Sequence, residues 1–75
     1  MPEHRVIRLS FDGEVDAAYL SLQPMDVIQP SAATTVTVDA DISLDFDHKG
    51  RLIGIEVLAA TRRLHPALLQ DAAQI

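Results

Sequence analysis

Within the stretch DFDHKGRLIGIEVL, Asp45, Asp47, Gly50, Leu52 and Glu56 fall at positions one, three, six, eight and twelve of an EF-hand loop. Carboxylates at alternate positions, a glycine at the sixth and a glutamate at the twelfth would wrap oxygen ligands around a calcium ion. Two residues oppose that chemistry. Lys49 puts an ammonium at the fifth position, and Ile53 at the ninth offers no side-chain oxygen. An EF-hand loop also joins two helices, whereas both flanks here alternate with the period of a strand. The stretch therefore reads as an acidic β-hairpin turn. A second acidic stretch, FDGEVDAAY, carries Asp12, Glu14 and Asp16. It could hold a cation weakly, but Asp12–Gly13 is turn chemistry and acidic turns need no ligand.

Other chemistry finds little support. His4, His48 and His65 lack metal-ligand spacing. Tyr19 shares its parity with Ala17 and Ser21, so it reads as a structural aromatic on the second face of a sheet or at an interface. The chain has no cysteine, no nucleophile elbow and no glycine-rich phosphate loop. A short chain also has little material for a pocket of the roughly 300–1,000 Å³ usual for ligand sites. The expectation is a non-enzymatic protein without a cofactor.

These residues must be positioned by strands. RVIRLSF alternates, with Ile7, Leu9 and Phe11 on one side, which predicts a strand over about 5–11. AAYLSLQ predicts a second over 17–23, with Ala18, Leu20 and Leu22 on one side, ended by Pro24. Residues 24–32 hold two prolines and read as a loop in which Met25, Val27 and Ile28 cover an edge of the core. The β-branched run ATTVTVDADISLDF predicts strands over 34–39 and 41–46, with a break at Asp39–Asp41. RLIGIEVL predicts a strand over 51–58 with Ile53, Ile55 and Val57 on one face; Gly54, on the other, suits a close backbone approach. Pro66 then opens a helix over about 66–74, with Leu68, Ala72 and Ile75 at helical spacing. The fold class expected is α+β: a small, mainly antiparallel, hairpin-based sheet of four to five strands with one short C-terminal helix.

Parity also constrains the last hairpin. Apolar residues are even before the turn and odd after it, and residues directly opposite share a face. Phe46 opposite Arg51, with a four-residue loop closed by left-handed Gly50, satisfies this. A three-residue loop would put Glu56 on the Phe46 face.

At 75 residues the chain is one small domain. Such domains bury only about 60% of their unfolded surface, and disulfides, metals or oligomers are the usual remedies. Hydrophobic residues make up 48%, but Phe11, Tyr19 and Phe46 are the only aromatics. The net charge of −5 argues against nucleic-acid binding. No apolar run approaches the ~20 residues of a membrane span, and the N-terminus has no signal-peptide pattern. A cytoplasmic protein is expected.

FDGEVDAAYLSL and DISLDFDHKGRLIGIEVLAATRRL together resemble the two signature blocks of a small bacterial family, domain-of-unknown-function family 2283. Asp12, Asp16, Ala17 and Tyr19 fit the first block. Asp45, Asp47, Gly50, Gly54, Ile55, Glu56 and Leu58 fit the second. Lys49 stands where an acid is common. The resemblance implies no activity and no catalytic residue. It implies structural roles for Asp16, Tyr19, Asp45, Asp47, Gly50, Gly54 and Glu56. Some relatives are similar to small proteins encoded beside toxin-like partners, which implies a binding role. In the expected register Glu56 faces Asp41, so a base such as Arg8 or Arg62 is expected nearby.

Two functions follow. The first is a non-enzymatic interaction module that forms a homodimer or higher homo-oligomer, because one short helix cannot hide all the apolar positions. The alternative is a divalent-cation-binding or carboxylate-based enzyme or sensor using Asp12, Glu14, Asp16, Asp45, Asp47 and Glu56.

Overall fold

Two antiparallel hairpins lie side by side in one sheet. The first is β1 (Arg8–Asp12) and β2 (Ala17–Ser21), paired so that Leu9 faces Leu20 and Phe11 faces Ala18. The second is β4 (Ile42–Phe46) and β5 (Leu52–Leu58), with β3 (Thr34–Thr37) added outside β4. β2 and β5 join them, pairing Ala18 with Val57 and Leu20 with Ile55. α1 (Ala60–Arg63) and α2 (Pro66–Asp71) follow, and β6 (Ala73–Gln74) returns parallel to β1. The strand order is β3-β4-β5-β2-β1-β6. The computed structural model describes residues 7–23 and 32–75. Met25, Val27 and Ile28, expected over an edge of the core, lie outside the described residues, as do the first residues of the first expected strand.

Alternation sorts the sheet into two faces. Leu9, Phe11, Ala18, Leu20, Ile55, Val57, Ile42, Leu44 and Val36 occupy one side by register. Ala18, Val57 and Ala60 form its buried centre, with Leu9, Phe11, Ile42, Ile55, Leu64 and Leu69 packed around them. Two of the three central residues are alanines, so α1 approaches the sheet closely but contributes little apolar area of its own. The other face carries Ser10, Tyr19, Ser21, Gly54, Glu56, Ser43, Asp45, Thr35 and Thr37 by the same register.

The α+β class and its mainly antiparallel sheet are as expected, but the described residues form six strands and two helices. α1 has four residues, too few to show a helical period. Its start is a sharp turn at Ala59, which adopts left-handed φ 52°. α2 begins as expected at Pro66, with the His65 ring accepting from the Ala67 N–H at 3.0 Å. It ends at Asp71 rather than residue 74. Ala72 turns to extended backbone, Ala73 and Gln74 pair with Ser10 and Phe11, and the Ile75 N–H donates to the Phe11 carbonyl at 3.0 Å. The two residues of β6 have no strand propensity of their own; a waiting sheet edge makes them a strand.

The register of the last hairpin differs from the expected one. Phe46 pairs with Leu52 rather than Arg51, and Glu56 faces Ser43 rather than Asp41. The Asp47 N–H donates to the Arg51 carbonyl at 2.8 Å, closing a three-residue loop over 48–50. The parity conflict is resolved by a β-bulge: Asp45 faces Gly54 and Phe46 faces Leu52, so Ile53 has no partner on β4. One extra residue in β5 restores alternation. Gly50 takes φ 79° in the loop, the left-handed conformation expected of it.

Candidate functional site

On the polar face, Tyr19 sits on β2 opposite Glu56, and its ring crosses diagonally over Gly54. A Cβ at Gly54 would collide with the Tyr19 phenol, chiefly Oη and Cζ. Gly54 thus makes room for a side chain, where a close backbone approach was expected. Beyond it the Tyr19 hydroxyl donates to Asp45 Oδ2 at 2.9 Å, and Thr35 Oγ1 donates to Asp45 Oδ1 at 2.8 Å. The three partners come from β2, β4 and β3, and two residue types short of β-propensity, Asp and Gly, are tolerated in the sheet because the phenol spans them. Burial, then the hydrogen bond and charge of Asp45, push the Tyr19 phenol up to about 12. Tyr19 is therefore held protonated as a donor.

The other acids have separate tasks. Asp16, at left-handed φ 54°, closes the β1–β2 turn. Its Oδ1 accepts from the Thr61 N–H and its Oδ2 from Thr61 Oγ1, both at 2.9 Å, while its carbonyl accepts from the Ala60 N–H at 3.0 Å. Ala59 has no side-chain oxygen to cap α1, so Asp16 supplies the cap from a distant turn. Asp12 Oδ1 accepts from the Glu14 N–H at 3.0 Å, a local turn contact. Asp47 is nearly buried, at 8% exposure. Its Oδ1 accepts from the N–H groups of Lys49 and Arg51, and its Oδ2 from Arg51 Nε, each at 2.9 Å. The Arg51 backbone N–H, ahead of burial and the guanidinium, dominates the balance that holds its carboxyl below the usual aspartate value.

Asp39, expected only at a break between two strands, and Arg63, given no role by the sequence, prove central. Asp39 Oδ1 accepts from the N–H groups of Asp41 and Ile42 and so builds the β3–β4 turn. Arg63 on α1 bonds Asp39 at 2.8 Å and Asp41 at 2.9 Å, and Arg62 reaches Asp41 at 2.8 Å. The base expected near Asp41 is thus present, doubled, although Asp41 does not face Glu56. Arg62–Arg63 is the only adjacent basic pair in the chain, which was the available signal.

The sheet keeps the two acidic stretches apart. Asp12 and Asp16 lie at the end where Ala17 pairs with Leu58; Asp45 lies two rungs beyond Glu56, toward the opposite end, with Asp47 past it. Among the described residues, no three of His, Cys, Asp and Glu form a group able to hold a metal.

The apolar face offers a different feature. An open groove of about 820 Å³ runs between the sheet and α2, lined by Leu9, Leu20, Ile42, Ile55, Leu64 and Leu68 among others. This corrects the expectation that so short a chain lacks a sizeable pocket. Among the described residues, α2 covers the β1 end of the sheet and leaves the Ile42 side open.

A small α+β domain with a mixed six-stranded sheet, a tyrosine–aspartate bridge over a glycine, and an aspartate-capped helix is thereby defined. The chain belongs to the family described as proteins of unknown function, DUF2283, whose sequence profile matches residues 8–60. The matched span contains the bridge, both acidic turns and Ala60, and ends before the Arg62–Arg63 pair. No curated protein and no solved structure matches the chain. No helix among the described residues is long and apolar enough to cross a membrane.

Proposed function

We propose that this chain is a non-enzymatic, cytoplasmic protein-interaction module that acts as a homo-oligomer. The observation that carries the reading is the open apolar groove on the sheet. Leu68 at its wall is 50% exposed and Ile7 is 58% exposed. The core supports the same reading, because among the described residues no large side chain in it is fully buried. A small domain with a thin core and no cysteine gains stability from association. On the polar face, every acid of the family pattern whose partners are described holds up a turn, a helix or the tyrosine bridge. Those bonds support a scaffold role for the acids rather than an acid–base one. The family resemblance supports a second, heterologous partner in the form of a small toxin-like protein, which co-purification from the native host would capture.

Sedimentation equilibrium at micromolar concentration tests the oligomer. A mass above that of one chain, rising with concentration, is expected. A single species at the chain mass, without concentration dependence, overturns it.

A further inference from the structure

Among the described residues β3 is an edge strand, and all four of its residues are exposed. Natural edges are protected by charges, prolines, bulges or a covering element. The stretch Ala32-Ala33-Thr34-Thr35-Val36-Thr37-Val38 carries no charge and no proline, and the pairing of Thr34–Thr37 with β4 runs without a register break. Val36 and Val38 remain 46% and 57% exposed. Asp39 and Asp41, in the turn after β3, are paired with Arg63 and Arg62, and Asp45, opposite Thr35 on β4, is bonded by the Tyr19 and Thr35 hydroxyls. A chain of net charge −5 therefore presents one uncharged, strand-forming edge.

The direction of the free backbone groups follows from the ladder. The Val38 N–H donates to the Ile42 carbonyl at 2.8 Å. Thr34 and Val36 share the parity of Val38, so their backbone groups also point to β4, and those of Thr35 and Thr37 point away. We infer that β3 pairs with β3 of a second copy, antiparallel about a twofold axis at Val36, extending the sheet across both chains. This rests on the homo-oligomer reading and adds an interface at the β3 edge, separate from the apolar groove.

The register is fixed by two requirements. A twofold axis normal to the sheet keeps the apolar faces on one side, so paired residue numbers must sum to an even value. The free groups of Thr35 and Thr37 must also be used. Thr35 opposite Thr37 of the second copy, and the reverse, satisfies both and exchanges four hydrogen bonds. Val36 then faces Val36 of the second copy in a non-hydrogen-bonded pair, with Cα atoms about 4.5 Å apart. A second copy suits this edge better than a foreign strand, because the sequence is self-complementary about Val36. Threonine meets threonine, valine meets valine on the axis, and no like charges are opposed.

The chain has no cysteine, so single-cysteine variants report the register cleanly. A disulfide needs Cα atoms within about 7 Å. The Val36→Cys variant should convert nearly completely to a covalent dimer under mild oxidation at micromolar concentration. Val38 lies on the same face and is more exposed, but its twin would sit four residues along the strand, about 13 Å away. Val38→Cys should cross-link at least tenfold more slowly. Circular dichroism of both reduced variants, matched to the parent, establishes that they are folded. A dimer by sedimentation whose Val36→Cys variant cross-links no faster than Val38→Cys overturns the edge pairing and leaves the homo-oligomer reading standing. A parent chain that stays at its own mass, whatever strand it accepts from another protein, overturns both.

Discussion

Tyr19 is the residue on which the polar face turns. Its phenol holds Asp45, Asp45 holds Thr35, and Gly54 exists to let the ring pass. Tyr19→Phe keeps the ring and removes the donor, so it should cost about 1–2 kcal/mol in urea denaturation, the range for a partly exposed bond to a carboxylate. The same bond sets the alkaline limit of the fold. The folded phenol ionises at about 12, against 10.0 for an unperturbed one. Because the folded value is the higher, its contribution is complete below pH 10 and is lost as pH rises through 12. Tyrosinate absorbance reads this directly, since Tyr19 is the only tyrosine; a native midpoint near the unperturbed value would refute the bridge. Gly54→Ala should destabilise by about 1–3 kcal/mol, because the new methyl displaces the phenol. In a Tyr19→Ala background the same change should cost far less, and additive costs in that double-mutant cycle would show that the ring is not the obstacle.

Between elements, α1 is capped by the β1–β2 turn, 45 residues away in sequence. Asp16→Ala should cost about 1–2 kcal/mol, the range for losing an N-cap, whereas Asp16→Asn, which keeps an acceptor for the Thr61 N–H, should cost less than half of that. Equal losses in urea denaturation would mean that charge, not capping, matters at this position. What was legible in the sequence follows the same division. Period-two alternation carried β1, β2, β4 and β5, because each buries one face and its side chains must take turns. Pro66 announced α2. The hairpin register was misjudged because a bulge at Ile53 changes parity, and a bulge leaves no periodic trace. α1 and β6 were missed because neither has a signal of its own: α1 needs the distant Asp16, and β6 needs the edge of β1. The acids of the candidate site were visible, but the partners that define their roles lie up to 45 residues away in sequence, beyond any local pattern.

At the scale of the whole molecule, the aspartates that build turns also decide how the fold responds to acid. Asp39 organises the β3–β4 turn and binds Arg63, which ties that turn to α1. The Arg63 guanidinium, followed by the N–H of Asp41, holds the Asp39 carboxyl well below the usual range. Asp47 is held low by the Arg51 N–H at the other end of the sheet. In the unfolded chain both take protons near the ordinary aspartate value of 3.8. Between that value and the depressed folded ones the unfolded state binds more protons, so stability rises with pH across the window. The contribution is complete above about pH 5 and is lost progressively as pH falls through the folded values. The urea midpoint should therefore be flat from pH 7 to about pH 5 and fall continuously below it. Asp39→Asn should begin from a lower midpoint at neutral pH and fall less steeply in acid, because one of the two linked protons is gone. A parent midpoint unchanged down to pH 3, or an Asp39→Asn slope equal to the parent's, would mean that these carboxylates are not held low by the partners the geometry gives them.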